Sequence, residues 1–393
     1  MKFFEKIIGC KNDGIYRVIT ILGIKFKFKN ARRQIIAEIK ALNGKYEKLK
    51  TEIEELKLSS SNVSGILKNL SGRTTALWET EYAPFRYYEN KFEKEFVLPF
   101  FDYMERPDFQ EKYLALVQNL SDRDIREINK ILSRLNVMKA KPQLTRYNFF
   151  SPEEQRKKIK IKTDFTDKVL SISDNLYVYD KYKLPINHFE RCVFLYKHGI
   201  ELVKGKVALK NKDFIDAGAF IGDSALVLSE YTDKRIYSFE ANPENIDLLQ
   251  KTIELNGLTN VAVIQKALYS SETELEFNIN SSASSLNRLS GVTYNETIKV
   301  PTVTLDKFVA ENNLNVGLIK VDLEGAEQEF LKGAEQTIRN QKPVLLLSIY
   351  HKPSDFFELK PMLESWVPEY EFSVFNPVDI SVLLETMIVA QPK

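Results

Sequence analysis

The C-terminal half of the chain alternates short apolar runs with longer amphipathic segments. From Asp213 onward, seven runs have the length and composition of strands: DFIDAGA, RIYSFE, VAVIQKA, GLIKVDLE, PVLLLSIYH, YEFSVFN and TMIVAQP. Helical patterns lie between them, such as PENIDLLQKTIELNG, with Pro243 in its first turn and Gly257 at its end. Strands joined by such helices pair in parallel through right-handed crossovers. The pattern predicts an α/β fold with a doubly wound, mostly parallel seven-stranded sheet.

A second periodicity predicts a coiled-coil helix over residues 34–58. Its apolar positions alternate spacings of four and three residues, with Lys and Glu between them: Ile35, Ile39, Leu42, Tyr46, Leu49, Ile53 and Leu56. We expect this narrow seam to drive assembly into a homo-oligomer, although the helix could instead pack on its own chain. Residues 59–75 are rich in Ser, Asn and Gly and are predicted to be a linker.

Residues 1–33 form a basic N-terminal arm, with nine Lys and Arg residues against two acidic ones. Apolar residues are interleaved, and KFKFK alternates as a strand or an interfacial segment would. Such an arm could dock reversibly on an anionic membrane surface. The alternatives are a solvated basic arm and a small β-hairpin.

Residues 76–184 are predicted to form a mainly helical N-terminal domain, and residues 185–393 a separate domain. Ser121 is a candidate N-cap at the start of SDRDIREINKILSRLN, whose apolar residues recur at helical spacing. No catalytic constellation is evident in the helical part.

Composition narrows the partners and the compartment. The chain is 44% hydrophobic and carries 56 basic against 54 acidic residues, so it has no overall charge that would attract nucleic acid. Its two cysteines, Cys10 and Cys192, cannot build a disulfide framework, and the expected compartment is the cytoplasm. The apolar stretch Ile15–Phe26 contains Arg17 and is too short for a membrane span, so neither a signal peptide nor an anchor is expected.

Candidate chemistry begins at the turn after the first of the seven runs, FIDAGAFIGD. Gly218 and Gly222 would let a ligand approach the backbone at the strand end. Asp216 and Asp223 flank them, and two carboxylates would repel the pyrophosphate of a dinucleotide. The same carboxylates suit the amino group and sulfonium of S-adenosylmethionine, which we therefore favour over a nucleotide-linked oxidoreductase.

Two further strand ends complete the predicted cofactor site. Glu240 ends the second run, followed by Ala241, and a carboxylate there can accept hydrogen bonds from both ribose hydroxyls. Lys266 and Ala267 end the third run, where an adenine edge would be met.

The same segments resemble the FkbM family of S-adenosylmethionine-dependent methyltransferases over about residues 185–392. The motifs that carry the resemblance are FIDAGAFIGDSA, YSFEANPENIDLLQKTIELNG, QKALYSS, TVTLDKF and IKVDLEGAEQEFLKGA. The resemblance implies a class I, Rossmann-like methyltransferase fold that methylates an oxygen, typically a hydroxyl of a sugar or of a polyketide. It assigns ligand-facing roles to Asp216, Gly218, Gly222 and Glu240, and an active-site turn to Asp322, Glu324 and Gly325. Phe220, where Asn is common, and SIYH, where an acid before the His is usual, depart from the family pattern.

The catalytic residues are predicted from the ends of the fourth and fifth strands. Asp322, which also faces the cofactor, and Glu324 follow the fourth run, and His351 follows the fifth. His351 or Asp322 could be the general base that removes the hydroxyl proton. Alternatively, Asp322, Glu324 and His351 could bind a divalent cation. We favour the metal-free base because no third acid is evident nearby.

The remaining predictions concern the acceptor. The polar segment 280–297 is long for a connection in this fold and is expected to form a lid, in which Arg288 could bind an acidic acceptor. Tyr350 is a second candidate acceptor residue, whereas His188 and His198 are interpreted as structural. We expect an O-methyltransferase for a glycan or small-molecule hydroxyl, held near the inner face of the membrane. The alternatives are an oxidoreductase and a tethering protein with an inactive methyltransferase domain.

Overall fold

Two units make up the computed structural model, residues 1–86 and 87–393. The structure describes residues 8–13, 16–21, 24–29, 44, 48, 96–140, 150–279, 296–377 and 381–393. The first unit contains an antiparallel sheet of three consecutive strands: β1 (Ile8–Asp13), β2 (Tyr16–Ile21) and β3 (Ile24–Lys29). The alternating KFKFK stretch is part of β3.

The predicted coiled-coil helix and linker fall largely outside the described residues. Within 34–58 only Gly44 and Lys48 are described, and both are helical. Residues 59–75 are not among the described residues. The coiled-coil helix and the linker therefore remain predictions. Within the described part of the chain, no helix has the length and apolar character that a bilayer crossing requires.

The second unit is built around a seven-stranded sheet. Its strands are β7 (Asp213–Ala217), β8 (Ile236–Phe239), β9 (Val261–Ile264), β13 (Val316–Val321), β14 (Val344–Ser348), β15 (Tyr370–Phe375) and β16 (Met387–Pro392). Their order across the sheet is β15-β16-β14-β13-β7-β8-β9. The four pairings from β14 to β9 are parallel, and both pairings of β16 are antiparallel. The sheet is therefore mixed, not mostly parallel as predicted. The connection from β15 to β16 consists of residues 376–386. It is shorter than the dozen or so residues that a parallel crossover needs, in agreement with the antiparallel pairing of these strands.

Helices cover this sheet and link its strands. They are α1 (Phe109–Val117), α2 (Asp122–Ala140), α3 (Pro152–Asp164), α4 (Arg191–Phe194), α5 (Asp223–Leu228), α6 (Pro243–Asn256), α7 (Leu305–Asn312), α8 (Glu327–Lys332), α9 (Glu335–Gln341) and α10 (Pro353–Trp366). Residues 96–103 are also helical. Smaller sheets contain β4 (Leu170–Ser173), β5 (Leu176–Tyr179) and β6 (Tyr182–Leu184), and then β10 (Ala267–Leu268), β11 (Glu274–Ile279) and β12 (Glu296–Val303).

The helices at 96–140 pack on the same core as the seven-stranded sheet. Tyr103 stacks on Phe357 of α10 with ring centroids 5.0 Å apart. The carboxylate of Asp124 in α2 accepts a 2.9 Å hydrogen bond from the backbone N–H of Val374 in β15. Ser121 accepts a bond from the Asp124 N–H, as expected of an N-cap. The expected domain boundary at 184/185 thus lies within this unit.

Strand register brings the predicted site residues to one edge of the sheet. Ala217, the last residue of β7, pairs with Phe239 of β8 and with Val321 of β13. Val321 in turn pairs with Leu347 of β14. Because parallel strands end together, the residues after them are neighbours, and ligands of such sheets bind beyond this edge.

Candidate active site

An open cleft of about 960 Å³ lies at this edge. Its wall contains nine of the residues predicted from sequence: Gly218, Asp223, Glu240, Ala241, Lys266, Ala267, Asp322, Glu324 and Tyr350. Asp216, Gly222 and His351 are not part of the wall, and Arg288 lies outside the described residues. The residues at this edge form two groups, which we call the glycine cluster (Gly218, Phe220, Asp223 and Glu240) and the carboxylate cluster (Asp322 and Glu324 in the wall, with Glu327 and His351 behind them).

Gly218 lies where the two clusters meet. Its φ is +80°, and a Cβ at this position would be 1.9 Å from the backbone oxygen of Asp322. A side chain is therefore excluded both by conformation and by space. Glycine at 218 lets the backbone after β7 run directly against the backbone after β13.

Gly222 has a different reason to be glycine than the one predicted. It is the N-cap of α5 with φ +85°, and a Cβ would be 2.4 Å from the Leu249 side chain. The residue allows α5 to approach α6. Gly222 therefore has a packing role, and its contact with a ligand stays a prediction.

Asp216 also differs from its predicted role. Its side chain is completely buried, 3.4 Å from the Lys320 ammonium of the neighbouring strand β13. Lys320 Nζ in turn donates a 2.7 Å hydrogen bond to the carbonyl of Gly218. Asp216 therefore neutralises a buried cation that holds the glycine turn, and it does not face the cleft.

Glu240 is the carboxylate of the glycine cluster best placed for a ligand with hydroxyl donors. Its oxygens accept backbone N–H bonds of 2.8 Å from Phe220 and 2.7 Å from Asn242. Burial raises the pKa of Glu240 to about 7, although these N–H donors oppose the shift. Hydrogen bonds from the Asn245 side chain and the Ala241 backbone oppose the shift as well, and a ligand in the cleft would share this carboxylate with them.

Phe220 and His188 form the neighbouring part of the wall. Phe220 adopts φ +47°, a conformation that Asn tolerates better than Phe. The His188 ring packs against it edge-on with centroids 4.9 Å apart. His188 Nε2 lies 2.9 Å from a carboxylate oxygen of Glu190. Burial lowers the pKa of His188, but Glu190 outweighs it and raises this pKa to about 9. His188 lines the cleft, in contrast to the structural role predicted for it.

Asp223 and Ser224 begin α5 at the cleft wall. Asp223 is 3% exposed, and burial together with Glu190 raises its pKa to about 7. Ser224 Oγ lies 2.9 Å from Nε2 of the buried His198. This contact agrees with the interpretation of His198 as a satisfied structural residue, because the ring fixes the Ser224 side chain.

The carboxylate cluster follows β13 and β14. Asp322 Oδ1 and Glu324 Oε2 lie 3.4 and 3.3 Å from His351 Nε2. Glu324 has φ +51°, an uncommon conformation that is typical of functional turns. Burial raises the pKa of Glu324 to about 8, with Asp322 and Glu327 adding to the shift and His351 opposing it. Both carboxyl groups belong to the cleft wall.

His351 occupies a different position from the one predicted for a base that faces the acceptor. Its side chain is fully buried behind Asp322 and Glu324. Burial lowers the pKa of His351, but the carboxylates of Glu327 and Glu324 outweigh this and raise it to about 10. Because the ring is fully buried and does not line the cleft, His351 does not face an acceptor as predicted.

Glu327 is a third acid that the sequence analysis missed. It begins α8, its side chain is fully buried, and Oε1 lies 2.8 Å from His351 Nδ1. The same oxygen accepts a 2.9 Å bond from the N–H of Leu323. The left-handed turn at Glu324 and Gly325 brings the start of α8 back to His351. The signal was present in DLEGAE, where three acids fall within six residues.

The N-terminal helices cover the back of this cluster. Phe96 packs on both Tyr350 and His351, with ring centroids 6.3 and 6.4 Å apart. Tyr350 itself lines the cleft, and burial raises its pKa well above the usual value. The helical region therefore contributes to the site, a contact between distant segments that no local pattern indicates.

Part of the chain is similar to known methyltransferases. Residues 216–374 match the model of the methyltransferase FkbM domain. A curated relative, Methyltransferase 1 of Beauveria bassiana, is 27% identical over 173 residues, or 38% of this chain and 70% of the relative.

Two solved structures are more distant. Methyltransferase FkbM from Methylobacillus flagellatus is 17% identical with a TM-score of 0.45, and the match covers 72% of this chain but only 58% of that one. Trm5b from Pyrococcus abyssi is 13% identical with a TM-score of 0.32, over 55% of this chain and 54% of that one.

Proposed function

We propose that this protein transfers the methyl group of S-adenosylmethionine to a hydroxyl, and that the acceptor is a sugar of a surface glycan. The match of residues 216–374 to the model of the methyltransferase FkbM domain supports the methyl transfer. The observation that carries the proposal is the position of two carboxylates, Asp322 and Glu324, in the cleft wall beside the glycine turn. A hydroxyl must lose its proton as it is methylated, and a carboxylate in the wall can accept it.

The glycine cluster fits the cofactor. Glu240 offers a carboxylate in the wall to ribose hydroxyls, Asp223 offers one to the amino group, and Gly218 leaves the backbone open to the cleft. S-adenosylmethionine supplies a methyl group activated by a positive sulfonium. The pyrophosphate of NADH would instead meet Asp223 in the first turn of α5, a repulsive contact.

The test has two steps. Calorimetry of the full chain should show binding of S-adenosylmethionine and S-adenosylhomocysteine and none of NADH. Methyl-labelled cofactor should then transfer label into a carbohydrate fraction of a cell extract, in a form that resists alkali as an ether does and a methyl ester does not. NADH binding would indicate an oxidoreductase. Cofactor binding without transfer would indicate a tethering protein.

The N-terminal segments support an oligomer at the inner face of the membrane as a further part of the proposal. Leu49→Asp on the predicted seam should lower the subunit count seen by light scattering, whereas Lys48→Asp beside it should not. Anionic vesicles should sediment the full chain less well when the basic residues of 1–33 are replaced. Equal subunit counts in both variants would mean that the seam packs within one chain.

A further inference from the structure

The carboxylate cluster gathers several acids around one imidazole. Asp322, Glu324 and Glu327 all lie within 3.4 Å of His351. Asp355 of α10 adds a carboxyl group beside Glu327 and His351. Buried charges of one sign are costly unless cations balance them.

Two carboxylate oxygens of the cluster, Asp322 Oδ1 and Glu327 Oε2, also have no hydrogen-bond partner among the residues that the structure describes. The ring nitrogens of His351 lie 2.8 to 3.4 Å from the carboxylates around them. The side chains of Glu327 and His351 are fully buried, so the bulk solvent does not supply partners. Buried oxygens left unpaired in this way call for a ligand, because leaving them unpaired is costly.

These atoms lie close enough to coordinate one ion. Asp322, Glu327 and His351 each offer a ligand atom, and the three atoms lie within 4.8 Å of one another. Ligands about 2.1 Å from a metal ion lie about 3 to 4 Å apart, so a small closure completes the geometry. Asp322 is 25% exposed toward the cleft, which leaves coordination positions open on that side.

We propose that Asp322, Glu327 and His351 bind one divalent cation, and that this cation is Mn²⁺. Two carboxylates and one imidazole combine the oxygen ligands that Mg²⁺ and Mn²⁺ prefer with a nitrogen ligand that transition metals prefer. A proton on His351 and the metal ion compete for the same nitrogen. The metal-free base was favoured from the sequence because no third acid was evident near Asp322 and Glu324. Glu327 is that third acid.

The chemical role of the ion rests on the proposed function. A cation at the cleft wall would lower the pKa of an acceptor hydroxyl that reached it. Glu324, beside the site and in the wall, would then accept the proton. Binding of the ion itself does not depend on the acceptor or on S-adenosylmethionine, so it can be measured alone.

The test titrates the full chain, freed of metal by chelation, with MnCl₂. Electron paramagnetic resonance of free Mn²⁺ and calorimetry should show one site per chain. Glu327→Gln should weaken Mn²⁺ binding at least about 10-fold, the lower limit for loss of even an outer partner of a metal ligand. Glu329→Gln is the matched control, since Glu329 lies on the same helix and bonds to Ser270 and Lys332.

Equal Mn²⁺ affinity in both variants, or no binding by the natural chain, would overturn the site. If Glu327→Gln unfolds, Asp322→Asn serves instead, because Asp322 is partly exposed and its replacement leaves no core cavity. Weaker Mn²⁺ binding by that variant with unchanged cooperative unfolding supports the site.

Methyl transfer separates the site from the function. Turnover that stops with EDTA and returns with Mn²⁺ supports both. Full turnover in EDTA overturns the role of the ion but leaves the methyltransferase intact. Saturable Mn²⁺ binding with no transfer to any extract fraction supports the site and contradicts the proposed function.

Discussion

The glycine cluster and the carboxylate cluster share one sheet edge but satisfy their polar groups in opposite ways. In the glycine cluster, Glu240 and Asp223 accept backbone N–H bonds, and Asp216 below it is paired with Lys320. In the carboxylate cluster, three acids surround His351, and Asp322 Oδ1 and Glu327 Oε2 have no hydrogen-bond partner among the described residues. The backbone supplies hydrogen-bond partners for the carboxylates of the glycine cluster, whereas the carboxylate cluster has buried oxygens that a bound cation would pair with.

This difference separates binding from chemistry. A cofactor site gains from rigid, pre-formed acceptors, because binding then costs little reorganisation. A site that stabilises a reacting oxygen gains from charge that is not already compensated. Substitutions in the two clusters should therefore change different measured quantities.

The largest expected effect is on turnover. Glu324→Gln removes the proposed proton acceptor and should lower kcat about 10²- to 10⁴-fold, the usual contribution of a general base, while leaving S-adenosylmethionine affinity unchanged. Initial rates with the labelled cofactor and calorimetry measure the two quantities. Glu371→Gln, in a surface ion pair with Lys204, is the control and should change neither. Unchanged kcat in Glu324→Gln would assign the proton to another group.

The next largest effect is expected on cofactor binding when Gly218, which lies where the two clusters meet, is replaced. Gly218→Ala places a Cβ against the Asp322 carbonyl, so the glycine turn must shift, and S-adenosylmethionine binding should weaken strongly. Gly257→Ala is the matched control, because Gly257 has φ +62° but nothing within 4 Å of its Cβ position. Both variants share the cost of a left-handed alanine, about 1 kcal/mol or more. Equal losses of binding would mean that conformation, not contact, sets the effect.

The glycine cluster was largely predictable because its determinants are local. A strand end followed by glycine, and an acid at the next strand end, specify positions that the parallel register then brings together. The pattern could not decide which residues face the cleft. Asp216 is buried because Lys320 in β13 pairs with it, and that lysine was visible as the single charge within GLIKV. Gly222 is fixed by the distant Leu249.

The carboxylate cluster was only partly predictable because it depends on backbone turns and distant segments. Asp322, Glu324 and His351 were identified as a group, but the left-handed turn at Glu324 that brings Glu327 to His351 has no simple sequence signature. Phe96, more than two hundred residues away in sequence, covers the imidazole. The mixed sheet was missed because strand patterns do not encode strand direction.

The smallest expected effect is a pH dependence of cofactor binding that belongs to the glycine cluster alone. Burial raises the pKa of Glu240 to about 7, and ribose hydroxyls donate to the ionised carboxylate. Binding therefore favours the ionised form, so S-adenosylmethionine affinity should rise with pH, level off above about 7 and fall by up to about 10-fold per unit below it. Calorimetry from pH 5.5 to 8.5 in about half-unit steps measures the curve. The Glu240→Gln side chain cannot ionise, so this variant should bind with low affinity and lose the part of the pH dependence that comes from Glu240. Other titrating groups, such as Asp223, contribute equally to the curves of both proteins. A Gln variant with the same slope as the natural chain would assign the dependence to Asp223 and remove Glu240 from the ribose site.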